Sequence, residues 1–91
     1  VSIRQDLVFI DGDDSEQLAW ATTRYTDLKA KIIFVRGSPV EQMTAKKRRF
    51  YFDQQGKLTS RFGIEHTPAV VTQAGKVMRV SEVVLKSGSP G

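Results

Sequence analysis

A single α/β domain, with a mixed sheet and flanking helices, is predicted for this chain on three observations. Two short, continuous apolar runs, Leu7-Val8-Phe9-Ile10 and Ile32-Ile33-Phe34-Val35, enclose a stretch of helical period. A third run, Ala69-Val70-Val71-Thr72, meets a turn at Gln73 to Lys76 and then Val77 to Val80, the pattern of a hairpin. Between the two units lies an irregular insertion with short helices of its own. The order is strand, helix, strand, insertion, helix, strand, strand.

Each element has a local reason. Leu7 to Ile10 is β-prone, stops at Asp11-Gly12, and suits a central strand buried on both faces. Asp13 or Asp14 then offers an N-cap, with Glu16 or Gln17 three residues on. The spacing predicts a helix to about Leu28, with Leu18, Ala21, Thr22, Tyr25 and Leu28 facing inward. Ile32 to Val35 is a second buried strand, and strand-helix-strand predicts a right-handed parallel pair. Gly37-Ser38-Pro39 ends it, and Pro39 suits the first turn of a short helix through Met43. Arg49 to Phe52 reads as extended. Gly56 to Phe62 reads as a helix with Leu58 and Phe62 inward and Gly63 at its stop.

Ninety-one residues, 40% hydrophobic and 26% charged, support one domain with one modest core. We place it at residues 5–84, with 85–91 as a flexible Gly/Ser tail that is either linker or an expression remnant. The chain starts without Met or a signal peptide and reads as a piece of a longer protein. No apolar run exceeds four residues, too short for a membrane span. Cysteine is absent. The net charge of +4 is uneven. Over residues 1–16, Arg4 stands against Asp6, Asp11, Asp13, Asp14 and Glu16. Over residues 41–61, six cations stand against Glu41 and Asp53. Such a dipolar chain favours oriented docking with a charged partner.

Four features invite a chemical reading. Asp11-x-Asp13 after an apolar strand matches the nucleophile loop of Asp-based, Mg²⁺-dependent phosphotransferases, and Asp53 could act as a phosphoacceptor. Against this, Asp14-Ser15 follows instead of the usual small-residue step, and helix capping accounts for the same carboxylates. A calcium loop from Asp11 fails, because its sixth and twelfth positions hold Glu16 and Thr22. Lys46-Lys47-Arg48-Arg49 beside Phe50, Tyr51 and Phe52 could track phosphate and stack on bases. Four clustered charges leading into a strand whose alternate aromatics pack on the core are the preferred account, so no nucleic-acid partner is expected. His66 is the single histidine and has no metal-ligating companions; it reads as a turn residue next to Pro68. No metal or cofactor is expected. Trp20 lies about 200° round the helix from Leu18. It is either an exposed anchor with Arg24 one turn on, or half-buried beneath a neighbouring segment.

The run Phe62-Gly63-Ile64-Glu65-His66-Thr67-Pro68-Ala69-Val70-Val71, followed by Ala74-Gly75-Lys76-Val77, resembles the thioredoxin superfamily. That resemblance implies a thioredoxin-like mixed sheet, here with a truncated C-terminal helix, and a cis bond before Pro68. Redox members carry Cys-x-x-Cys at the start of the first helix. This chain has Asp13-Asp14-Ser15-Glu16 there, so it has no thiolate for disulfide exchange. Over roughly residues 7–83 the chain also resembles the C-terminal domain of the TraW family of F-type conjugative transfer proteins. Tyr51-Phe52-Asp53-Gln54-Gln55-Gly56 into Arg61-Phe62-Gly63-Ile64 carries this most specifically. The family implies a periplasmic, non-catalytic part in pilus assembly by a type IV secretion apparatus. It also implies association with TrbC, a thioredoxin-like periplasmic protein, and with other components of that apparatus.

The expected partner site is a groove between the start of the first helix and the turn at Pro68. Asp13, Asp14 and Glu16 would form an acidic wall selecting a basic or N-terminal segment. Thr67 and Pro68 would form the other wall, with the backbone of Thr67 open to an extended segment. His66 would lie between them, close to Asp13 and Asp14, and Trp20 at the rim.

Overall fold

The computed structural model describes residues 5–26 and 28–85. Five strands form one sheet: β1 (Asp6–Asp11), β2 (Ala30–Arg36), β3 (Tyr51–Phe52), β4 (Ala69–Ala74) and β5 (Val77–Glu82). Their order is β3-β2-β1-β4-β5. β1, β2 and β3 run parallel, whereas β4 and β5 are antiparallel to their neighbours. Three helices complete the fold: α1 (Ser15–Arg24), α2 (Pro39–Lys46) and α3 (Lys57–Phe62). A 3-10 turn at Gln54–Gly56 leads into α3.

The central strands bury both faces, which is why they read as unbroken apolar runs. Val8, Ile10, Ile32, Phe34 and Val70 pack with Leu18 and Ala21 of α1 on one face. Phe9, Ile33, Ala69 and Val71 form the other face, covered by Leu58 and Phe62 of α3. Phe9 and Phe62 meet edge to face at 6.3 Å. Each fully buried large side chain, Phe9 and Phe34 among them, contributes roughly 1.5–3 kcal/mol over an exposed one. Gly12 sits where β1 leaves the sheet. A Cβ there would overlap the Phe34 ring, so the chain can turn at this point only with glycine.

Four expectations need correction. α1 stops at Arg24, a turn before Leu28. Tyr25 adopts extended angles, and the carbonyl of Thr26 then accepts from Lys29 and Ala30 to start β2. Leu28 is consequently 88% exposed and contributes nothing to the core. α2 runs on to Lys46 rather than ending at Met43, and Lys47 closes it with a left-handed backbone. Only Phe50 of the aromatic trio is buried; Tyr51 and Phe52 are both exposed, because β3 is a two-residue edge strand. The hairpin strands are longer than read, reaching Ala74 and Glu82. The expected tail, apart from Leu85, lies outside the described residues.

Candidate functional site

The first helix is held by its carboxylates. Asp14 is the N-cap, and its Oδ1 accepts from Glu16 N (2.9 Å) and Gln17 N (3.3 Å). Asp11 Oδ1 accepts from Asp13 N at 2.9 Å, which tightens the turn before it. Helix N-termini leave donors unsatisfied, and Asp14 satisfies two of them while complementing the helix dipole. The Asp11-x-Asp13 motif thus has a structural use.

Asp53 has one as well. It is 3% exposed. Its Oδ1 accepts from Leu58 N (2.8 Å) and its Oδ2 from Thr59 N (3.0 Å), at the start of α3. Burial opposes ionisation here more than any other single influence. The Leu58 and Thr59 backbone donors, with the Thr59 side chain, together outweigh it and leave the carboxyl below its ordinary value. Both oxygens are committed, so a phosphoacceptor role finds no open carboxylate at Asp53. Among the described residues, no group of three or more metal-ligating side chains converges.

The groove expected between α1 and the Pro68 turn is present as a shallow cavity of about 450 Å³. Asp14, Glu16 and Gln17 line one side, His66, Thr67 and Pro68 another, and Val83, Val84 and Leu85, just after β5, complete the lining. The Thr67–Pro68 peptide is cis. Of the seven residues singled out in the sequence, five therefore share one concavity. Asp13 does not join them: it turns toward Gly37. Trp20 is half-buried. It meets Tyr25 edge to face at 5.8 Å, with the Arg24 guanidinium 6.0 Å from its ring. It lines an adjoining hollow that shares Glu16 and Leu85 with the groove, so it stands at the rim but not as a free anchor.

Two residues were missed. Gln17 crosses the groove. Its Nε2 donates to Thr67 O (3.2 Å) and to Asp14 Oδ2 (3.3 Å), and its Oε1 accepts from Asp11 N (2.8 Å). The Thr67 carbonyl is thus already engaged by α1 and is not wholly open to an incoming segment. The Asp14-x-x-Gln17 spacing was the available sign, but it indicated a local cap and not a bridge. Glu82, at the end of β5, is the second. One oxygen accepts from Glu65 N (2.8 Å) and His66 N (3.2 Å). The Glu65 donor chiefly, against some desolvation, and then the His66 N–H and imidazole, lower its carboxyl below the ordinary value. No local pattern signals that contact, which is made across 16 and 17 residues.

The basic run is dispersed. Arg48 donates to Tyr25 O at 2.6 Å and lies over the Phe50 ring, so it staples the end of α1 to the segment before β3. Lys46, Lys47 and Arg49 are exposed.

Sheet order, helix placement and a thiol-free groove at the proline turn define a thioredoxin-like α/β domain without redox cysteines. Among known proteins, the chain is 44% identical over 73 residues to Protein TraW of Escherichia coli (strain K12). It is a TraW homologue. The match takes in 79% of this chain and 35% of that protein, so the chain spans about a third of its relative's length. No family model matches the chain. No solved structure matches it.

Proposed function

We propose that this chain is a non-catalytic interaction domain in F-type conjugative pilus assembly. It would act in the periplasm as part of a type IV secretion apparatus and bind TrbC. The 44% identity to TraW carries the reading. The groove supports it: an acidic wall stands across from a proline turn, and the position of a thioredoxin nucleophile holds the capping carboxylate Asp14.

The mode of binding follows from the groove's chemistry. Glu16 is exposed and the helix is capped by Asp14 instead, so its charge is available to a basic or N-terminal segment of the partner. Val83, Val84 and Leu85 add apolar surface to the lining for a neighbouring aliphatic side chain. His66 lines the groove beside Thr67 and Pro68. The Gln17–Thr67 hydrogen bond links the two sides of the groove.

Titration of isotope-labelled chain with TrbC tests this. Amide signals of residues 14–17 and 65–68 should shift first, and Glu16→Lys should weaken binding. Shifts confined to residues 46–52, or no binding by this chain when longer TraW binds, would overturn the assignment of the groove.

A further inference from the structure

The end of the sheet opposite the groove carries a different surface. It is the end where β1 and β2 begin and the β4–β5 turn lies, as the registers Leu7↔Lys31 and Ala74↔Val77 fix. Lys31 and Arg49 line a cavity of about 420 Å³ there with Tyr51. The Lys31 ammonium lies 5.7 Å from the Tyr51 ring. Lys29 precedes β2 and Lys76 occupies the hairpin turn, and both are exposed. Asp6 is the carboxylate described at this end; Asp27 lies outside the described residues.

Apolar side chains stand among these cations. Leu28 is 88% exposed and Val77 64%. Tyr51 is 37% exposed. Lys31, Arg49 and Tyr51 alternate onto the α3 side of β2 and β3, and Lys76 and Val77 stand at the β5 edge, four strand spacings or roughly 19 Å away. Cations and apolar tips thus stand at both sides of that width, with Lys31, Arg49 and Tyr51 sharing the cavity at the β3 side.

We propose that this end of the sheet is a docking surface for an anionic lipid bilayer. The charge is complementary, since clustered Lys and Arg near an acidic leaflet are drawn to it. Isolated exposed aliphatic and aromatic tips can enter the headgroup region, which accepts them without a shaped pocket. A broad, shallow face suits a plane better than a peptide. The carboxylates of Asp13, Asp14 and Glu16 lie at the far end, where β1 finishes. The field of such a dipole would orient the domain with its groove directed away from the bilayer.

Cosedimentation of the 91-residue chain with vesicles tests it. Phosphatidylcholine vesicles are compared with vesicles of phosphatidylcholine and phosphatidylglycerol. Binding is expected to the mixed vesicles only, and raised salt should remove it. Each basic residue near an anionic surface is worth about fivefold in partitioning. Lys31→Glu with Arg49→Glu should therefore lower it by about twenty-fold or more. Leu28→Ser should lower it several-fold with the salt dependence intact. Lys57→Glu with Arg61→Glu, on α3, makes the same change in net charge and should have far less effect. Thermal melts confirm that each variant folds. Failure to bind mixed vesicles at low salt would overturn the proposal. So would an equal loss from the α3 pair, which would make the attraction one of net charge alone. Self-association abolished by the Lys31 and Arg49 reversals, without vesicle binding, would assign this surface to a second copy of the chain.

Discussion

The two ends of the sheet carry opposite charge, and they use it differently. At the end where β1 and β2 finish, carboxylates are bonded into the fold. Asp14 caps α1, Asp53 holds the first turn of α3, and Glu82 holds the backbone of Glu65 and His66. At the other end most cations extend into solvent; Arg48, bonded to Tyr25 O, is the described exception in the 46–49 run. The difference follows from topology. In a parallel βαβ unit the helices start where strands end, so unsatisfied helix N–H groups collect at one end. Acceptors satisfy them, and negative charge suits that dipole end. Helix C-termini lie at the opposite end and favour cations, as Arg24 and Lys46 in the last turns of α1 and α2 show. Charge segregation here is helix capping multiplied by fold topology.

The comparison can be broken most forcefully at Asp53. Asp53→Ala should cost about 1–2 kcal/mol, since it strips two backbone N–H groups of their partner in a buried place. Urea unfolding measures it, and a loss no larger than that of a surface substitution would remove Asp53 from the structural set. Its lowered carboxyl gives a pH signature. The stabilisation is complete above the ordinary carboxylate range and is lost as pH falls through the lowered folded value. Asp53→Asn should flatten that acid limb.

Asp14→Ala comes next, at about 1 kcal/mol for a lost N-cap. Asp13→Ala and Glu16→Ala, one residue to either side of the cap and its first helical residue, should each stay within about 0.5 kcal/mol. Equal effects across the three would mean that charge, and not capping geometry, holds the helix start.

At the basic end, Lys31→Ala and Arg49→Ala should change stability by less than about 0.5 kcal/mol. A larger loss in chemical denaturation would show that these cations serve the fold as the carboxylates do.

The smallest effect is expected at Glu82, which is exposed. Its carboxyl titrates below the ordinary value, so its hold on Glu65 and His66 persists above that range and is released as pH falls through the lowered value. The amide signals of Glu65 and His66 should follow the Glu82 carboxyl titration by NMR, and Glu82→Gln should uncouple them. Independent titration of these amides would show that the contact is not formed in solution.

Much of this molecule was legible in local sequence. Leu7 to Ile10 and Ile32 to Val35 announce double-faced strands because nothing polar interrupts them. Asp14 with Gln17, Gly63, and the turn between Val71 and Val77 mark ends and reversals through interactions a few residues long. The missing thiol excludes disulfide exchange from composition alone. The end of α1 was misread because propensity and period continue past Arg24. What stops the helix is a route: Tyr25 must turn into β2, and its carbonyl is taken by Arg48, 23 residues on.

The sequence by itself therefore determined the elements, their order and the exclusion of thiol chemistry, since each depends on neighbours within a turn or a strand. Only the tertiary structure decided which charges share a surface. Gln17 reaches Thr67 across 50 residues, Glu82 reaches back to Glu65, and Lys31 meets Tyr51 because strand register brings them together. Register is fixed by burying Val8, Phe9, Ile32 and Ile33 on two faces at once, and a slip of one residue would exchange those faces. The polar groups at both ends are carried into place by that apolar requirement, which no short window of the chain contains.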